Sequence, residues 1–117
     1  MTPRRIIIES PYAGATARIQ ERNVRYVRAC MRDSLLRGEA PFASHALYTL
    51  PGVLDDRNAF ERAMGMAAGF AWRDAAAVTV VYEDYGVSDG MARGLAHARE
   101  LGQTVEVRRL PDFGRVK

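Results

Sequence analysis

Two short stretches concentrate the side chains that could do chemistry. The first, Ser10-Pro11-Tyr12-Ala13-Gly14, offers a hydroxyl, a rigid bend, an aromatic ring with a polar tip and a glycine. Backbone N–H groups between a strand and a helix start can hold an anion such as phosphate. The bland alternative is an ordinary strand-to-helix turn with Tyr12 packed on the surface. The stretch carries neither the G-x-x-x-x-G-K-[ST] pattern of a phosphate loop nor the G-x-G-x-x-G dinucleotide fingerprint. The second stretch, Glu83 to Met91, holds the adjacent carboxylates Glu83 and Asp84, then Gly86, Ser88, Asp89 and Gly90. Neighbours on an extended chain point to opposite sides, so Glu83 and Asp84 are not expected to act as one pair. Either could bind a sugar hydroxyl or serve as an acid/base group. Asp84, ahead of Gly86, could equally satisfy the N–H groups of a turn. Ser88 and Asp89 suit a helix N-cap, and Gly90 permits close backbone approach for packing or for a phosphate.

Ser44 and His45 form a smaller group. A histidine there could transfer protons near neutrality, or be a satisfied structural residue. His97, between Arg93 and Glu100, is expected to face solvent. Cys30 is the only cysteine, so no internal disulfide can form, and it reads as small core filler. Metal sites usually need several Cys or His, so no metal is expected. Met64 and Met66 are taken as core or interface.

These groups need elements to position them. Arg4 to Glu9 contains Ile6-Ile7-Ile8, a run suited to a strand buried on both faces of a parallel sheet. Pro11 and Gly14 then enforce a loop. A helix is expected to begin between Thr16 and Glu21 and to end at Gly38, with Val24, Val27, Met31 and Leu35 on one apolar face and Asn23 at its edge. Ala40 to Ala43 is a short second strand, and Ser44 to Leu50 a turn or short helix closed by Pro51-Gly52. A second long helix runs from near Asp56 to Trp72, capped by Asp55 or Asp56. Its Ala63, Gly65, Ala67, Ala68, Gly69 and Ala71 permit close approach of another element. Ala75 to Tyr82 is the third strand, Asp89 to Leu101 the last helix, and Thr104 to Arg108 the final strand. The order β-α-β-α-β-α-β predicts an α/β fold: a doubly wound parallel sheet of four or five strands with helices on both faces, flavodoxin- or Rossmann-like. Ligands of such sheets bind at the carboxyl ends of the strands, where the strand order reverses. That rule selects the same two stretches, Ser10 to Gly14 and Glu83 to Met91.

At 117 residues, one domain over 1–117 is expected, with a tail from residue 110. With 48% apolar and 26% charged residues, a disordered or collagen-like chain is excluded. The apolar runs are far shorter than the ~20 residues of a membrane span. Glu9 follows the three isoleucines too soon for a signal peptide, so a cytoplasmic, membrane-free protein is expected. Net charge is 17 − 14 = +3, and basic residues concentrate in the arginines at 18, 22, 25, 28, 32 and 37, interleaved with Glu21, Asp33 and Glu39. Without recognition-helix or aromatic-strand signatures, this is expected to be a solvated helix face, and nucleic acid is not the expected partner.

The order of motifs resembles a known family. Ile8-Glu9-Ser10-Pro11-Tyr12-Ala13-Gly14, Arg22-Asn23, Pro41-x-x-Ser44-His45-x-x-Tyr48 and Asp84-x-Gly86-x-Ser88-x-Gly90-Met91 are similar to small bacterial and phage proteins that look like compact relatives of the nucleoside 2-deoxyribosyltransferases. The resemblance implies a doubly wound fold, usually in dimers or larger homo-oligomers. It also implies a nucleoside or nucleotide pocket; the residues expected to touch the ligand are Ser10, Pro11, Tyr12, Gly14, Asn23, Ser44, His45, Asp84, Gly86, Ser88, Gly90 and Met91, and no cofactor is expected. Tyr12 stands where the transferases place a tyrosine of the nucleoside pocket, and Asp84 where an aspartate handles the base. Their nucleophile is a glutamate directly after the Gly-Met pair; here Ala92 follows Gly90-Met91, and a methyl group cannot attack. The expected function is therefore nucleotide or nucleoside binding without the transferase chemistry. The alternatives are cleavage or transfer of an N-glycosidic bond using Glu83 or Asp84, and a homo-oligomeric assembly module whose partner surface is the second long helix.

Overall fold

The computed structural model describes residues 2–111. Eight elements follow in the order β1 (Arg4–Glu9), α1 (Ala17–Leu36), β2 (Glu39–Phe42), α2 (Ser44–Leu47), α3 (Ala59–Arg73), β3 (Val78–Tyr82), α4 (Asp89–Glu100) and β4 (Val105–Arg108). The strands form one sheet of order β2-β1-β3-β4, every pair parallel. Strand register sets Ile6 opposite Val78 and Glu9 opposite Val81, so the carboxyl ends of β1 and β3 lie side by side. This is the doubly wound α/β arrangement of the flavodoxin type, reduced to four strands, and its order reverses between β1 and β3.

Strand alternation assigns each side chain a face. Ile6, Ile8, Val78, Val80 and Tyr82 point to α1 and close a core with its Tyr26, Val27 and Cys30. Val81 points the other way, onto Met91 and Leu95 of α4, with Val105 packed against them. Glu9 and Thr79 share that second face, where both meet Arg73 at the end of α3. The buried stripe of α1 is Asn23, Tyr26, Val27, Cys30 and Ser34, rotated from the apolar stripe expected. Leu35 is 60% exposed, whereas Asn23 and Ser34 are buried. They tolerate burial because both are bonded: Asn23 donates to the Tyr12 and Ala13 carbonyls, and Ser34 to Glu39.

Local signals set the helix ends. Thr16 accepts the Ile19 N–H and caps α1, and Gly38 follows it with φ 84°, a left-handed conformation that favours glycine. The N-cap of α3 is Asn58, which accepts from the Glu61 N–H, in place of the expected Asp55 or Asp56. Asp55 is occupied in its own turn, accepting from the backbone and side chain of Arg57. The third strand starts at Val78, so the alanines before it serve as connection. Of the expected tail, Leu110 and Pro111 are described, and the rest lies outside the described residues. Among the described residues, no helix is long and apolar enough to cross a membrane.

Candidate functional site

Where β1 and β3 end together, a cleft of about 230 Å³ opens on the face covered by α3 and α4. The strand end of β1 supplies its floor, Glu9 and Ser10. The loop beyond supplies Tyr12, α2 supplies Ser44 and His45, α3 supplies Arg62, Met66, Phe70 and Arg73, and the start of α4 supplies Ser88, Gly90 and Met91.

Ser10 is 5% exposed, and its Oγ lies 2.8 Å from His45 Nε2, so the two share a hydrogen bond. Burial pushes the His45 ring down to about 4, which keeps it neutral at physiological pH. Tyr12 meets the same imidazole edge-on, with ring centroids 6.3 Å apart. α3 comes close to α2 here because Gly69 has no side chain: a Cβ on it would stand 2.5 Å from Ser44 Oγ.

The cleft floor holds a buried ion pair. Arg73, 1% exposed, donates through Nη2 to Glu9 Oε2 at 2.6 Å, through Nη1 to Thr79 Oγ1 and through Nε to His97 Nδ1 at 3.1 Å. His97 stacks on Phe70, with centroids 4.3 Å apart. It is therefore half-buried and bonded between α3 and α4, not facing solvent as expected, because the buried guanidinium needs an acceptor for its third N–H direction. Gly94 makes room for the Glu9 carboxylate, since a Cβ there would clash with both its oxygens. Burial pushes the Glu9 carboxyl upward, and the opposing pull of Arg73 only tempers the shift. Among the described residues Oε1 of Glu9 has no hydrogen-bond partner. A desolvated carboxylate with one unused oxygen in a cleft can accept a hydroxyl or exchange a proton.

The nominated residues thus fall into groups. Ser10, Tyr12, Ser44, His45, Ser88, Gly90 and Met91 come together around the cleft. Pro11 is buried in the loop, Asn23 holds that loop by its carbonyls, and Gly14 lines a neighbouring recess beside Tyr12. Ser88 also caps α4, accepting from the Met91 N–H. Glu83 and Asp84 lie elsewhere. Asp84 follows Tyr82 in the alternation toward α1; its carboxylate takes the Tyr26 hydroxyl and the Leu110 N–H. Glu83 pairs with the exposed Arg109 at 2.8 Å, and Gly86 completes their turn with φ 81°. Ala92 is exposed and is not a lining residue. The side chains that sequence reasoning missed are Glu9, Asp56, Arg62 and Arg73. Glu9 did leave a signal: a carboxylate closing a strand of three isoleucines must find a buried partner. Among the described residues no cluster of His, Cys, Asp and Glu is arranged to hold a metal ion.

Fold and site together define a small flavodoxin-type α/β domain with a polar cleft at its topological switch point. Residues 4–108 match the family model described as a domain of unknown function, DUF7768, and the chain belongs to that family. No curated protein matches the chain.

Proposed function

We propose that the chain binds a nucleoside or nucleotide in this cleft, without the transferase chemistry of the enzymes its motifs resemble. The observation that carries the reading is convergence: seven residues nominated by separate motifs in three parts of the chain line one cavity at the switch point. Its volume lies below the ~300–1,000 Å³ usual for ligand pockets, which favours one small molecule over a dinucleotide. Glu9 Oε1 is the acceptor for a sugar hydroxyl, and Tyr12, Met66 and Phe70 offer apolar surface for a base. Binding is favoured over N-glycosidic chemistry by Glu83 or Asp84 because Arg109 engages the first and Tyr26 with Leu110 the second. Thermal unfolding with a panel of nucleosides and their monophosphates tests the reading. At least one is expected to raise Tm, and Tyr12→Ala to abolish the rise; no response to any of them sinks it.

A second reading has its own observation. The outward face of α3 presents Phe60, 74% exposed, with Ala63, Met64, Ala67 and Ala71 also exposed at helical spacing. We propose that this face pairs with a second copy of the chain, leaving the opposite face of α3 to the cleft. Light scattering on the purified protein is expected to give a dimer or larger, and Met64→Glu a monomer; a monomeric parent rejects it.

A further inference from the structure

We infer that the ligand of the cleft carries a phosphate and that Arg62 is the residue that selects it, an inference that rests on the nucleoside-type reading above. The charges around the cleft resolve into pairs with two exceptions. Glu9 is held by Arg73 at 2.6 Å, and Asp89 by Arg93 at 3.0 Å. Arg62 and Asp56 remain. The Arg62 guanidinium lines the cleft and has no ion pair and no side-chain hydrogen bond among the described residues. Asp56 is the acid that senses it, from beyond ion-pair distance. Nη2 of Arg62 stands 3.8 Å from the place a Cβ on Gly90 would take.

That position is electrostatically incomplete. Arg62 is set against the first turn of α4, whose own dipole is positive at that end, so the helix opposes the cation instead of satisfying it. Two sources of the same sign in a half-dry cleft are stable together when an anion lies between them. Guanidinium is suited to that anion, since its planar fork matches two phosphate oxygens at once. One turn further along α4, at Gly94, the cleft offers the reverse chemistry: the unused oxygen of Glu9 accepts a hydroxyl and repels a phosphate. One molecule with hydroxyls at one end and a phosphate at the other meets both requirements. The cleft is therefore assigned to a mononucleotide in preference to a nucleoside.

Calorimetric titration of the intact protein with the common ribo- and deoxyribonucleosides and their monophosphates tests this. The best monophosphate is expected to bind at least tenfold more tightly than its own nucleoside, a difference of about 1.4 kcal/mol. Arg62→Gln is expected to erase that ratio and Arg62→Lys to restore part of it. Asp56→Asn should move the ratio the other way, because it removes an acid that competes with the phosphate for Arg62. A monophosphate and nucleoside of equal affinity in the parent, or a ratio untouched by Arg62→Gln, overturns the inference and leaves the nucleoside reading standing. A parent that binds none of the panel overturns both.

Discussion

Glu9 and Glu39 are the same residue in the same kind of sheet, each bonded to a buried or half-buried arginine, and they behave in opposite ways. Glu39 opens β2 on the α1 face and receives Arg108 at 2.7 and 2.8 Å, Arg4 at 2.8 Å and the Ser34 hydroxyl at 2.8 Å. The Arg108 guanidinium above all, with Arg4 and Ser34, holds its carboxyl down at about 2 despite burial. Glu9 closes β1 on the other face and receives Arg73 alone, so burial wins and its carboxyl is raised. The lesson is one of saturation. A buried carboxylate with every lone pair filled is a fastener between strands and helix, whereas one with an oxygen left over is available to something that enters from outside.

Breaking the two ion pairs separates their roles. Arg73→Ala removes a cation that three elements share and leaves Glu9, Thr79 and His97 short of a donor. It is expected to cost about 3–5 kcal/mol of unfolding free energy in denaturant titration, the largest single effect in the molecule. A loss below 1 kcal/mol would show that the pair is not the keystone of the second face.

Acid should dissect the rest. A folded-state value of about 2 for Glu39, against the ordinary 4.5, means that its contribution is complete above pH 4.5 and fades as pH falls through 2. Its size is roughly 3 kcal/mol, and Glu39→Gln should remove that dependence. His45 acts in a higher window. Its ring is held at about 4 against 6.5, so only the unfolded chain takes up the proton between those values, and stability falls as pH drops from 6.5 to 4. That loss is also about 3 kcal/mol, and His45→Gln should flatten it. Glu9 has the contrary sign: its raised carboxyl binds protons more readily folded than unfolded, so it disfavours the fold as pH rises through its titration.

The smallest effect on stability is expected from Glu9→Gln, about 1–3 kcal/mol, because the buried Arg73 loses its counter-charge while the amide oxygen still accepts from it. Its effect on binding should instead be large, a tenfold or greater loss of affinity for whichever nucleoside or nucleotide the parent binds. Glu39→Gln should do the converse, weakening the fold and leaving affinity intact. Equal losses of affinity in both variants would erase the distinction between fastener and site.

Much of the fold was legible before any coordinates. The triple isoleucine of β1 announced a strand buried on both faces, and the alternation of elements announced a parallel sheet. The switch-point rule then placed Ser10, Tyr12, Ser88 and Gly90 at one end of it, where they line the cleft. Even the mutual divergence of Glu83 and Asp84 follows from the pleat, and the two carboxylates do turn to different partners.

Local sequence thus determined what each segment becomes, because periodicity, caps and turn residues act over a few positions. Which carboxylate enters the cleft was decided only in three dimensions. Glu9 and Asp84 both stand at the ends of neighbouring strands, and the pleat sends each to one side. Nothing in the chain's local pattern says that α1 covers the side of Asp84 while α3 and α4 cover the side of Glu9. That assignment depends on the handed path of the crossovers, a property of the whole sheet. It also sets Arg73 beneath Glu9 from 64 positions away, a separation that only packing can close.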